Sequence, residues 1–411
     1  MAIVKPFSAI RPAASVAKQV AALPYDVYNR KEAMEIVSKN PLSFLAIDRA
    51  ETQFDTSVST YAPCVYEKAR DLLHQRMEDG IFFTDPEPCY YIYEQTMNGR
   101  KQTGVVACCS IDDYKDGTIR RHENTRAEKE EDRIHHVDIC NAQTGPIFLA
   151  YRSNQIIYSI LSQTKTTDPI YQFTSEDGIG HTIWKISKQE DIQALEAAFQ
   201  NIDHTYIADG HHRAASAVRV GFQRRAAHPN YTGNEAFNYF LSVLFPDNEL
   251  IILPYNRVVK DLAGFTTEQF LSILCKKFLI TAASSAVVPT QKGSFGMFLN
   301  DQWYTLQLLP QFFSDDPILG LDVSLLETHI LSPILKIGDL RTDKRIDFIG
   351  GIRGTEELER RCHDDMKVAF SMYPTSIQEL FAVADSGKLM PPKSTWFEPK
   401  LRSGLFIHSL Q

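Results

Sequence analysis

Residues 205–217 read Thr-Tyr-Ile-Ala-Asp-Gly-His-His-Arg-Ala-Ala-Ser-Ala, and they leave the backbone few choices. A short apolar strand over Tyr206, Ile207 and Ala208 runs into Asp209-Gly210, and an alanine-rich helix begins at about His212. Gly210 supplies the residue that can take a positive φ where the chain turns sharply. Ala214, Ala215, Ala217, Val218 and Val220 form an inner stripe small enough to approach a sheet closely. The first turn of such a helix aims unpaired N–H groups and the positive dipole end past the strand. With His211, His212 and Arg213 at that spot, the fitting guest is a phosphate, and Asp209 is placed to hold an accompanying Mg²⁺ or its waters.

Other readings stand beside this one. Asp209 as an N-cap alone accounts for Asp-Gly. The two histidines serve equally as polar surface. They also suit two ligands of a Zn²⁺ site with His204 as the third, although adjacent residues on regular structure point apart.

A chain of 411 residues has room for two or three domains and a large core. Its net charge of −8 and the lack of a Lys/Arg stripe argue against nucleic acid as a partner. No apolar run approaches the roughly 20 residues of a membrane span, and the N-terminus lacks the apolar core of a signal peptide. Seven scattered cysteines without a C-x-x-C pair read as reduced thiols of a cytoplasmic protein.

Hydrophobic spacing predicts a helix over residues 61–79 ended by Gly80, and a hairpin of Tyr90–Gln95 with Thr103–Ser110 around Asn98-Gly99. It predicts a strand over Thr182–Ile186, a helix over Gln189–Gln200, and a second hairpin of Tyr239–Phe245 with Leu250–Leu253. The charge-dense stretch 112–138 is expected to hold an exposed helix or a mobile flap. Beyond about 258 the expectations are a helix from Thr267, a hairpin at Asn300-Asp301 and a helix over Val323–Leu335. Strands at Ile346–Ile349 and Val368–Met372 then alternate with helices from Thr355 and Ser376. Mixed elements without regular β-α alternation indicate α+β.

Four further groups carry chemistry. Pro24-Tyr25-Asp26 sets a carboxylate at a strand end, or caps the helix over Arg30–Ser38. His122-Glu123 lies with Thr125, Arg126, Lys129, Asp132 and Arg133, either as solvated surface or as a flap that folds over a polyphosphate. Gly350-Gly351-Ile352-Arg353-Gly354 reads as a plain loop or another anion-binding turn. Met390-Pro391-Pro392-Lys393-Ser394-Thr395-Trp396 stiffens the chain and then offers a cation and two hydroxyls, suited to gripping a carboxylate or phosphate. Walker A, kinase Gly-rich, Rossmann, Gly-x-Ser-x-Gly and His-Glu-x-x-His patterns do not occur.

Taken in order, Lys5-Pro6-Phe7, Pro24-Tyr25-Asp26, His122-Glu123, Ile207 to Arg213 and Pro391 to Thr395 resemble a widespread prokaryotic family known as a domain of unknown function. The resemblance covers essentially the whole chain. More distantly, the motifs resemble free L-serine kinases of the ParB/sulfiredoxin-like superfamily. Those carry Asp-Gly-His-His-Arg at a phosphate-binding turn, an early Pro-His-Glu whose carboxylate is the base, and a late Pro-Lys-Thr-Thr that helps hold the amino acid. Here Asp209, Gly210, His211, His212 and Arg213 match the first motif in full. Asp26 stands in for the glutamate, Ser394 for one threonine, and Trp396 follows Thr395 where an arginine is usual.

This resemblance implies a ParB/sulfiredoxin-like nucleotide-binding domain over 1–257 with an insertion at about 85–200. A C-terminal α+β domain over 258–411 would contribute a substrate loop. It implies a kinase that transfers a phosphoryl group from ATP or ADP, with Mg²⁺, to the hydroxyl of free L-serine. Asp209 to Arg213 would hold the nucleotide phosphates, and Asp209 the metal. Asp26 would accept the proton, with His122 and Glu123 as further catalytic candidates, while Lys393, Ser394 and Thr395 grip the amino acid. The alternatives are a nucleotide-binding ParB-like regulator without turnover, and a phosphatase or phosphotransferase on phosphoserine. Neither nucleic acid nor membrane is expected as a partner, and the oligomeric state is left open.

Overall fold

The computed structural model describes residues 1–125 and 127–411; Arg126 of the charge-dense stretch lies outside the described residues. Strands and helices mix without regular β-α alternation, as the α+β reading expects. Among the described residues no helix is long and apolar enough to cross a membrane.

Two compact units are present: Met1–Leu250 with Pro399–Gln411, and Ile251–Glu398. The sequence division fell at 257/258 with everything after it kept together; in the structure the segment Pro399–Gln411 belongs with the first unit. Its backbone bonding gives the reason. Ile407 and Ile10 exchange both N–H···O bonds, at 3.0 and 2.8 Å, and Ser403 and Ala22 do the same. His408 pairs with Gln143 in a short two-stranded sheet. Leu405, Phe406 and Ile407 are buried, and Arg402 forms an ion pair with Asp177.

The first unit is organised by a nine-stranded mixed sheet. Its order is Ile119–Arg120, Thr205–Asp209, Ile147–Tyr151, Tyr239–Pro246, Arg100–Ser110, Tyr90–Met97, Gly180–Ile186 and Tyr171–Thr174, with Val4–Lys5 also paired to Arg100–Ser110. Residues 85–200, set apart as an insertion by the resemblance, thus supply most of the strands of this sheet. The Tyr90–Met97 hairpin closes through Asn98 and Gly99, both at positive φ, as the Asn-Gly signal requires.

The predicted hairpin of Tyr239–Phe245 with Leu250–Leu253 does not form. Tyr239–Pro246 is apolar and almost wholly buried, so it takes partners on both sides, Arg100–Ser110 and Ile147–Tyr151. Ile252–Leu253 pairs instead with Trp396–Phe397 in the second unit. The exposed helix or flap expected in 112–138 is also corrected. Helix Ala127–Cys140 buries Arg133, Ile134, His136, Val137 and Cys140, and packs against helices Pro63–Glu78 and His211–Ala227. The Ser216 hydroxyl donates to the Glu130 carbonyl at 3.0 Å across that junction.

Gly221, within helix His211–Ala227, is required by close approach. A Cβ there would lie 2.4 Å from the Phe237 carbonyl oxygen and 2.7 Å from Ile111 Cδ1. Gly221→Ala is expected to lose about 1–3 kcal/mol in urea unfolding with an unchanged slope. A variant as stable as the parent would mean that the helix re-seats at no cost.

The second unit holds a six-stranded antiparallel sheet in the order Phe278–Ala283, Gln302–Leu308, Ser294–Leu299, Val368–Ser371, Tyr255–Val259, Ile346–Gly350. Helices Thr267–Leu274 and Ile377–Asp385 begin at capping boxes, Thr266 with Gln269 and Ser376 with Glu379. The continuous helix expected over Val323–Leu335 is α-helical only through Asp322–Leu326 and then widens to a π turn over Glu327–Leu331. Pro333 explains this, because its ring cannot sit against the carbonyl four residues back in a regular helix.

Candidate functional site: a glycine turn beside a charged cleft

The strand Thr205–Asp209 lies antiparallel to Ile147–Tyr151, and its register slips between Ile207 and Asp209. Such a bulge re-aims the side chains beyond it, here the Asp209 carboxylate. Gly210 follows at φ 92° and is itself the N-cap of helix His211–Ala227, with no side chain closing the cap. Asp209 therefore is not a helix cap. Arg213 folds back over the turn, donating from Nη1 to the Pro146 carbonyl at 2.5 Å and from Nη2 to Asp209 Oδ2 at 3.3 Å. A Cβ on Gly210 would stand 3.0 Å from that guanidinium. Lys400 Nζ, from the returning segment, lies 3.7 Å from the same carboxylate oxygen. Burial alone would raise the Asp209 carboxyl, but Lys400, Arg213 and His211 outweigh it and hold the group below its usual value. A carboxylate so balanced keeps two cations and a helix N-terminus together at one turn.

His122 joins this turn through the sheet. Ile119–Arg120 runs parallel to Thr205–Tyr206, which carries the residues after it alongside the same strand end. The His122 and His211 rings meet edge to face, with centroids 4.6 Å apart, and both are buried. His122 also bonds the backbone of Ile207. Burial pushes the His122 imidazole down to about 4 and that of His211 well below its usual value, so both rings are neutral at pH 7. His122, exposed Glu123 and His211 each offer one ligand atom, all within 4.8 Å of one another. His204, weighed as a third zinc ligand, sits elsewhere: its Nε2 is 3.0 Å from Arg120 Nη2. His212, next to His211, is half-buried.

A second group converges on Asp26. Helix Arg30–Lys39 is capped by Asn29, whose side chain accepts from the Glu32 N–H while Glu32 accepts from the Asn29 N–H. Asp26 is thus not the cap. It stands exposed on a cleft of about 220 Å³ lined also by Tyr28, Asp48, Arg49, Glu51, Lys129, Asp132, Arg133 and His136. A smaller void of about 30 Å³ shares Tyr25, Asp48, Arg133 and His136 with it and continues to Gly145, Arg213 and Ser403. Tyr25, Asp48, Arg133 and His136 thus line both the cleft that holds Asp26 and the void that reaches Arg213.

Arg133 is the centre of that shared lining. Its guanidinium lies 4.1 Å over the Tyr25 ring and pairs with Asp132 at 2.9 Å. Burial works against its charge, but Asp132, Tyr25 and Asp48 outweigh it and hold the proton more tightly. Burial and the Arg133 charge push the His136 imidazole down to about 4. The sequence leaves Arg133 either on solvated surface or on a flap over a polyphosphate, and it does not single out Asp48 or Lys400. Ile134, Val137 and Cys140 at helical spacing were the signal that this face turns inward; Lys400 had none.

Lys393, Ser394 and Thr395 form a group of their own in the second unit. The Lys393 carbonyl, in a residue at φ 61°, accepts from Arg257 at 3.0 Å, and its Nζ lies 5.3 Å over the Tyr255 ring. Ser394 is buried, with its hydroxyl donating to the Pro391 carbonyl at 2.7 Å. That hydroxyl is engaged in the turn itself. Gly350–Gly354 ends a strand of the same unit in a single 3₁₀ turn, with Gly354 at φ 72°.

Residues 4–324 match the sequence profile of the family described as Protein of unknown function (DUF1015). The chain belongs to that family. No curated protein matches the sequence. Among solved structures, this chain has distant likenesses in a free serine kinase in complex with AMP and in SbnI with a C-terminal truncation from Staphylococcus aureus. The kinase is 13% identical with a TM-score of 0.36, covering 74% of this chain and 91% of that one. SbnI is 12% identical with a TM-score of 0.38, covering 74% and 86%. A conserved hypothetical protein from Pyrococcus furiosus is 13% identical with a TM-score of 0.35, covering 74% and 94%.

Proposed function

We propose that this protein binds a nucleotide by its phosphates at Asp209–Arg213 and transfers a phosphoryl group to the hydroxyl of a small amino acid. On the motif resemblance that amino acid is L-serine. The observation that carries the reading is Asp26: a carboxylate released from helix capping, exposed on a cleft that shares Tyr25, Asp48, Arg133 and His136 with the void lined by Arg213. The helix N-terminus with His211, His212 and Arg213 binds the phosphates. Lys129 and Arg133 against Asp48 and Glu51 supply both signs of charge, which suits a zwitterion. Asp26 orients the acceptor hydroxyl and takes its proton. Phosphoryl transfer asks little covalent chemistry of the protein, and positioning with charge neutralisation does most of the work.

Mg²⁺ fits here as an ion carried by the nucleotide phosphates, where it offsets their charge. Asp209, already balanced by Arg213 and Lys400, suits contact with its waters better than a direct bond.

The deciding experiment is ³¹P NMR of the protein with ATP or ADP, Mg²⁺ and a panel of hydroxy amino acids. A phosphomonoester signal growing as the donor signal falls, fastest with L-serine, is expected. Donor that stays intact with every acceptor, while calorimetry shows it bound, replaces the kinase with a nucleotide-binding regulator.

A further inference from the structure

We propose that His122, Glu123 and His211 form a three-ligand site for a transition-metal dication, with coordination positions left open. Two imidazoles and one carboxylate suit zinc, manganese, iron or cobalt, whereas Mg²⁺ and Ca²⁺ prefer oxygen donors. The three ligand atoms lie within 4.8 Å of one another. Bonds of about 2.1 Å in a tetrahedral site need ligand atoms roughly 3.4 Å apart. Closing that distance falls chiefly to Glu123, which is exposed, since both rings are buried.

Two independent observations point to an ion. The His211 side chain is buried, at 7% exposure, and its Nε2 finds no hydrogen-bond partner among the described residues. Leaving such an atom unpaired is costly, and a metal bond satisfies it. His122, for its part, is anchored through a hydrogen bond to the Ile207 backbone. Metal-bound histidines are commonly oriented in this way, with the second ring nitrogen on a carbonyl. The Asp209 carboxylate acts on both rings in the sense that favours a cation, and Arg121 opposes it at His211. On this reading His122 and Glu123 are ligands, not an acid–base pair. The site needs no nucleotide; it shares His211 with the turn proposed to bind phosphates, and its test is separate from that of the kinase proposal.

The test uses the full chain, stripped by chelator, then titrated with Zn²⁺ or Co²⁺ alone and no nucleotide. Metal retained after gel filtration and the visible absorption of Co²⁺ are the readouts. About one equivalent per chain is expected, undiminished by a large excess of Mg²⁺. Glu123→Gln, at an exposed position, should stay folded and weaken binding at least tenfold; His211→Gln should do the same or worse. His204→Gln should bind as the parent does. The proposal is overturned if folded parent protein retains no metal, if Glu123→Gln and His211→Gln bind it undiminished, or if His204→Gln loses it equally.

Discussion

An Asp26→Asn protein is expected to bind nucleotide as tightly as the parent and to form phosphoserine about 10²–10⁴ times more slowly. Asparagine keeps the shape of the side chain and removes its charge and basicity, so the loss falls on the transition state. Helix Arg30–Lys39 gives the control, because its cap is Asn29 with Glu32 and owes nothing to Asp26. Thermal stability should therefore barely move, which separates this outcome from a folding defect. Calorimetry for nucleotide and a ³¹P assay for product measure the two quantities side by side. Product formation near the parent rate would remove Asp26 from the mechanism.

Acidification should unfold the first unit between about pH 6.5 and 4.5. His181 is pushed down to about 3 by burial and then by Arg402, His136 to about 4 by burial and then by Arg133, and His122 and His408 to about 4 chiefly by burial. His211 is lowered as well. All five are buried. A folded-state value below the unfolded one, about 6.5 for histidine, means that the unfolded chain binds protons first. The stability these neutral rings allow is complete above about pH 6.5 and is lost as pH falls towards their folded values. Asp113, raised by burial to about 6, works the other way, since it takes its proton in the folded state.

Five groups against one leave a net uptake of about four protons on unfolding of metal-free protein near pH 5. That corresponds to on the order of 5 kcal/mol per pH unit, enough to exhaust a typical domain's stability within two units. Near-UV circular dichroism across the range, paired with calorimetric proton uptake, checks it. Stability that stays flat from pH 7 to 5 would mean that these rings charge freely in the folded protein.

What the sequence made legible was local. Asn98-Gly99 announces its hairpin, the spacing of Gln189–Gln200 its helix, and Ala208 to Ala217 the strand, the turn at Gly210 and the helix that follows. Asn29 and Glu32 stand three residues apart, a capping box that was there to be read and that frees Asp26. The sheet order was not legible, because a strand such as Tyr239–Pro246 is apolar but for Ser242 and fits between many partners. Charge was the other source of error. The stretch around Lys129–Arg133 reads as solvated until the apolar positions Ile134, Val137 and Cys140 are given equal weight. Meeting of His122 with His211, and of Asp209 with Lys400, depends on pairings between distant segments, for which one sequence holds no mark.

The return of Pro399–Gln411 to the first unit has a consequence for how the protein is made. Residues 1–250 leave the ribosome before the segment that completes them, and all of 251–398 is translated in between. At about 5–20 residues per second that delay is roughly 7–30 s, long compared with the folding of a domain. During it Ile10 and Ala22 lack the backbone partners that the tail supplies, and the Tyr91 ring lacks Phe406, which finally lies 5.0 Å away. An apolar seam is therefore open on the nascent chain until that segment is made. Lys400 arrives with the same segment, so the turn at Asp209 receives its second cation only after residues 251–398 have been made.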